Sequence, residues 1–147
     1  MVSVFDVVKY ILFKKNPITT MKLQKLVYYC QAWSLVWDGK PLFHEKIEAW
    51  ANGPVVRELY NFHCRIYELI SISKGDIKNL KDYQKETIDS VLDFYGDKSP
   101  QWLSDLTHME KPWSEARQGM ADGERGNKEI TLSSMEEYYT SISPTKN

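Results

Sequence analysis

The chain has 147 residues, 42% hydrophobic and 27% charged, which is the usage of one ordinary globular domain and argues against a disordered or membrane-embedded protein. Its 19 Lys and Arg against 20 Asp and Glu leave a formal charge of −1, so binding driven by phosphate neutralisation is not expected. Two cysteines, no secretory leader pattern and no apolar run of membrane-spanning length point to a reduced, cytoplasmic protein.

Val4, Phe5, Val7, Val8, Ile11 and Leu12 recur at helical spacing, with Ser3 and Asp6 as a capping pair and Lys14-Lys15-Asn16-Pro17 as the stop. Thr19 or Thr20 then caps a second helix over 21–37, in which Leu23, Leu26, Val27, Cys30, Trp33, Leu35, Val36 and Trp37 cover more than one face. A helix apolar over most of its circumference belongs in the middle, so this is the expected central helix. Asp38-Gly39-Lys40-Pro41 breaks it. The first two helices carry Lys9, Lys14, Lys15, Lys22 and Lys25 against Asp6 alone, a modest basic face best explained by solvation.

Ile47, Ala49 and Ala51 alternate with Glu48 and Trp50, which predicts a strand. Gly53 then suits a tight turn and Pro54 the first position of a third helix, from Val55 to about His63 or Ile66, burying Val56, Leu59, Tyr60 and His63. Ile70 and Ile72 suggest a second short strand that pairs with the first. A fourth helix follows from Tyr83 to Tyr95, stopping at Gly96, and a fifth starts at Ser99-Pro100 with Trp102, Leu103 and Leu106 as its buried face. Pro112 forces a kink after His108, and a further turn runs from Trp113 to Arg117. Residues 119–129 read as a mobile, glycine-containing loop, and a last helix begins at Thr131 or Ser133 with Met135, Tyr138 and Tyr139 facing inward. The expected fold is mainly α: one compact domain over 1–143, about six helices around a central one with a short two-strand element, and a frayed tail at 144–147.

Catalytic motifs are missing. His44, His63 and His108 are scattered without zinc-type spacing, and Gly119, Gly123 and Gly126 do not follow a strand as a phosphate-binding loop requires. Cys30 and Cys64 read as buried, inert thiols, and the pairs Asp122/Glu124 and Glu136/Glu137 as solvated surface. A winged-helix DNA reader would need more than Arg57, Glu58 and Asn61 on its recognition helix. Five Trp and nine Tyr suit both cores and protein interfaces, so a binding protein is expected rather than an enzyme, with no cofactor and no catalytic or metal-ligating residue.

Four stretches in order, MKLQKLVYYCQAW at 21–33, IEAWANGPVVRELY at 47–60, LTHMEKPWSEAR at 106–117 and ITLSSMEEYY at 130–139, resemble the Panacea domain of SocA-like and phage-associated GepA-like bacterial proteins. The resemblance implies the antitoxin of a type II toxin–antitoxin pair, neutralising a toxin encoded nearby by direct binding. In one branch of the family it implies instead an adaptor that delivers the toxin to a ClpXP-type protease, and a DNA-binding regulator is a third reading. Leu23, Leu26, Tyr29, Gly53, Pro54, Tyr60, His108 and Pro112 match the family's clusters and have structural explanations. Gln24, Lys25 and Tyr28 are candidate partner-binding residues, because polar groups on a buried helix need a reason to be there. Trp37, Trp50 and Trp113 are candidate aromatic anchors.

Overall fold

In the computed structural model, which describes residues 2–143, a helix buried on all sides forms the axis of the molecule: in α2 (Thr20–Trp37) every residue from Leu23 to Leu35 is buried. Around it lie α1 (Val4–Lys14), α3 (Arg57–His63), α4 (Asp82–Tyr95), α5 (Pro100–Met109), α6 (Lys111–Ala116) and α7 (Leu132–Ile142). Packing against α2 comes mainly from α4, α7 and α5. Leu23, Leu26, Leu59 and Leu103 are fully buried in one continuous core, where truncating any of them to Ala costs about 2–5 kcal/mol.

The helix starts are fixed by local chemistry. Ser3 and Asp6 form the expected capping box on α1, reinforced by buried Glu45, which accepts from Ser3 Oγ at 2.7 Å and Val4 N at 2.8 Å. Thr19 caps α2, Ser99 caps α5 with Pro100 as its first residue, and Thr131, not Ser133, caps α7.

The strands make two small antiparallel sheets. β1 (Ile18–Thr19) pairs with β4 (Glu68–Leu69), and β2 (Ile47–Trp50) lies between β3 (Gly53–Val56) and β5 (Glu129–Ile130). Two side-chain clamps from α2 hold the 42–43 segment and the end of β3 in place. Gln31 accepts from the N–H groups of Leu42 and Phe43 and donates to the Phe43 carbonyl, while Gln24 accepts from Val56 N at 2.9 Å and donates to its carbonyl at 3.3 Å. Each amide side chain thus pairs with both the N–H and the carbonyl of one residue, as a neighbouring strand would.

Several expectations are corrected. Pro54 does not open a helix; it lies in edge strand β3 opposite Ala49, where its missing N–H costs nothing, and α3 begins at Arg57. The partner of β2 is this strand and not the segment at Ile70 and Ile72; the adjoining pair Glu68–Leu69 joins β1 instead. Trp102 and Tyr60 are 41% and 37% exposed rather than buried, and Cys64, just past α3, is exposed. Of the lysines on α1 and α2, Lys14 pairs with Asp89, Lys15 with Asp97, Lys22 donates to the Gly96 carbonyl, and Lys25 is buried. The loop at 119–129 is tied down by buried Arg117, which donates to the carbonyls of Ala49 and Glu124, and ends in β5. The expected frayed tail at 144–147 lies outside the described residues.

Candidate functional site

Two concave surfaces stand out, one polar and one aromatic, on either side of the helix axis. The polar one depends on the β2–β3 hairpin, whose backbone carbonyls are pinned from α5, α6 and the residue after it. Ser104 Oγ donates to Asn52 O at 2.7 Å, Trp113 Nε1 to Trp50 O at 2.7 Å, and Arg117 Nη1 to Ala49 O at 3.1 Å. Gly53 takes φ +127°, and a Cβ there would fall 2.5 Å from Lys25 Cε, so only glycine permits both the turn and the approach of the lysine.

The hairpin, α2, α3 and residues 125–127 enclose a pocket of about 600 Å³. Gln24 and Lys25 reach it from α2, Trp50 and Asn52 from the hairpin, Arg57, Tyr60 and His63 from α3, and Arg125 from the loop. Trp50 and Tyr60 meet edge to face at 4.8 Å, with the Arg57 guanidinium over Trp50 and held to Glu48 by two hydrogen bonds at 2.9 and 3.1 Å. Burial pushes the Lys25 amine down to about 8. It also lowers His63, with the Lys25 charge adding to the effect. Since Gln24 uses its oxygen on Val56 N, its amide nitrogen donates to His63 Nε2 at 2.9 Å, which makes that ring nitrogen an acceptor and the imidazole neutral. Nearby, His108 stacks on Trp113 at 4.0 Å and is lowered by burial, its Nε2 buried without a hydrogen-bond partner.

The aromatic surface is a groove of about 810 Å³ between α2, α4, α5 and the end of α7. Trp33, Trp37, Phe94, Trp102, Leu106 and Ile142 line it, with Asp38 and Glu86 also on its wall and Lys98 over the Trp102 ring at 5.0 Å. Phe94 is 61% exposed. Beneath it lies a buried network: Tyr29 and Tyr139 donate to Glu110 Oε1 at 2.6 and 2.8 Å, the Tyr28 and Tyr139 hydroxyls are 3.0 Å apart, and Trp33 Nε1 donates to Tyr95 at 3.0 Å. Burial raises the Glu110 carboxyl above its usual range, against the two tyrosine hydrogen bonds that favour its charge. The network joins α2, α4, α7 and the α5–α6 junction and so makes the groove's floor rigid.

The candidate partner-binding residues therefore separate. Trp37 lines the groove; Gln24, Lys25 and Trp50 line the polar pocket, the first two as buried floor. Tyr28 is 1% exposed in the tyrosine network and offers no surface to a partner in this conformation, and half-buried Trp113 holds the hairpin. Of the family-signature positions, Leu23, Leu26, Tyr29, Pro54 and Pro112 are buried, while Tyr60 forms a pocket wall. Phe94 is not among the residues the sequence singles out, and Trp102 lies outward on α5 rather than on its buried face. In the pairs Phe94-Tyr95 and Trp102-Leu103 the neighbours point about 100° apart, so at the edge of a helix's buried face one faces the core and the other turns outward. Tyr95 and Leu103 take the inside.

No group of three or more His, Cys, Asp or Glu that would hold a metal ion occurs among the described residues, and none of their helices is long and apolar enough to cross a membrane. The Cys30 thiol is pushed up by complete burial and so stays protonated. A family model described as antitoxin SocA-like, Panacea domain, matches residues 23–114, more than half of the chain. No curated protein and no solved structure matches it. The matched span runs from Leu23 in α2 to α6, and so includes both concave surfaces except the wall residues Thr20 and Met21 at the start of α2, those of the 125–127 loop, and Ile142 of α7.

Proposed function

The chain belongs to the SocA-like antitoxin family with a Panacea domain, and from that premise we propose that it is the antitoxin of a type II pair, neutralising a toxin encoded nearby by direct protein–protein binding at the aromatic groove. Family membership carries the antitoxin role. The groove supports the binding mode: it gathers two partly exposed tryptophans and an exposed phenylalanine over a rigid floor, the residue types that dominate interface energetics when a partner covers them. Its occupant is an apolar face of the toxin, inserted between α4 and α5, with Trp37, Phe94 and Trp102 as anchors. In the polar pocket, Trp50 is half-buried and its ring already packs against Tyr60 and Arg57, so it contributes at most a secondary contact.

The test is co-expression with the product of the adjacent reading frame, scored by host growth and co-purification. The neighbour alone arrests growth, and this chain restores it and co-purifies. Rescue without a stable complex, or rescue undiminished by the double variant Phe94→Ala/Trp102→Ala, contradicts binding at the groove.

A further inference from the structure

The polar pocket holds a charge that the fold itself leaves uncompensated. Lys25 is 2% exposed and lines this pocket, and its ammonium makes no salt bridge or side-chain hydrogen bond among the described residues. The walls add Arg57 and Arg125, and no described wall residue is an acid. Glu48 occupies Arg57 from outside the pocket, whereas Arg125 is exposed at the rim without an ion pair among the described residues. His63 cannot serve as the missing counter-charge, being neutral and already accepting from Gln24. Burying an unpaired ammonium is among the costlier things a fold does, and a Met or Leu would fill the same space without the penalty. Nor is the lysine held there by accident of packing: Gly53 lacks a side chain where Lys25 Cε passes, and Gln24, Ser104, Trp113 and Arg117 fix the surrounding hairpin.

We propose that this pocket binds a small molecule bearing a phosphate or carboxylate, the anion seated on the Lys25 ammonium with Arg125 closing over it, and the rest of the ligand lying against Trp50 and Tyr60. Asn52 and Asn127 on the same walls supply polar side chains for the ligand's uncharged part. A charge-assisted hydrogen bond from an amine this buried is strong because few waters compete for it. The site is separate from the groove and is tested on this protein alone, so its failure leaves the antitoxin reading untouched, and the reverse also holds.

The experiment follows the lysine side-chain amines by NMR in the full-length, isotope-labelled protein during titration with inorganic pyrophosphate and, in a second arm, with citrate. The Lys25 signal moves saturably with at least one probe. Affinity, read in every variant from the backbone amides of Trp50 and Asn52 on the pocket wall, falls about tenfold or more in Lys25→Met, as loss of a charge-assisted contact requires, falls less in Arg125→Gln, and is unchanged in Lys98→Met, whose lysine lies over Trp102 in the groove. A response to pyrophosphate alone assigns a phosphorylated ligand, and to citrate alone a carboxylate. Failure of both probes to move Lys25 overturns the proposal. So does equal binding by Lys25→Met and wild type, or equal weakening by Lys98→Met, which would mark general charge attraction.

Discussion

Replacing Lys25 by Met should make the protein more stable, by an amount that depends on pH in a defined way. Burial lowers the amine from 10.5 to about 8, and at about 1.4 kcal/mol per pH unit the charged form in the folded chain carries a penalty of about 3 kcal/mol. Below pH 8 the amine is protonated both folded and unfolded, so the whole penalty is present. Between pH 8 and 10.5 the folded chain loses this proton first, the unfolded chain binds more protons, and wild-type stability rises with pH until the penalty is gone. Met has nearly the length of Lys and no charge to bury. The variant should therefore exceed wild type by up to about 3 kcal/mol at pH 7, about 10 °C in Tm for a domain of this size, with the gap closing towards pH 10.5. Tyr28, Tyr29, Tyr95 and Tyr139 are all raised by burial and reduce stability above pH 10, but they are common to both chains and cancel in the difference. Urea unfolding of the two proteins from pH 7 to 10, in buffer free of phosphate and carboxylate, measures it. A Met variant no more stable at pH 7, or a gap that does not shrink with pH, would refute the picture of an unpaired buried charge.

Glu110→Ala leaves the Tyr29 and Tyr139 hydroxyls buried without their acceptor and should cost about 2–4 kcal/mol in urea unfolding, while Glu110→Gln keeps an acceptor and stays within about 1 kcal/mol. Because the carboxyl's pKa is raised in the fold, the folded state binds the extra proton first, and wild type should gain on Glu110→Gln as pH falls through the raised value towards 4.5. Gly53→Ala forces a side chain into φ +127° beside Lys25 and should lower stability by about 1–3 kcal/mol by thermal melting. Arg117→Met frees the carbonyls of Ala49 and Glu124, so limited proteolysis should cut within 118–128 faster than in wild type while circular dichroism keeps the helical signal.

What the sequence made legible was local. Ser3 with Asp6, Thr19, Ser99-Pro100 and Gly96 mark helix ends through interactions within a few residues, and α2 announces its central position by being apolar over most of its circumference. Asn52-Gly53-Pro54 is ambiguous in sequence because turn followed by helix and turn followed by edge strand use the same residues. The choice is made by Gln24, Ser104, Trp113 and Arg117, which reach the hairpin from far along the chain. The same distance hid the pocket, whose walls come from α2, β2, β3, α3 and the loop before β5. Gln24 did have a reason to sit on a buried helix, but the reason is a backbone clamp. Lys25 has no such partner, which sets it apart from every other polar residue singled out on that helix.

The most direct measurement is inhibition of the purified toxin, the product of the adjacent reading frame, titrated with this protein in the absence of any protease. Wild type should inhibit at near one-to-one stoichiometry, and Trp102→Ala, whose 41% exposure allows truncation without unfolding, should bind about thirtyfold more weakly, the loss of roughly 2 kcal/mol expected of an anchor residue. A toxin that stays fully active until a ClpXP-type protease is added, or one inhibited equally by wild type and by Phe94→Ala/Trp102→Ala, would contradict direct neutralisation through the aromatic groove.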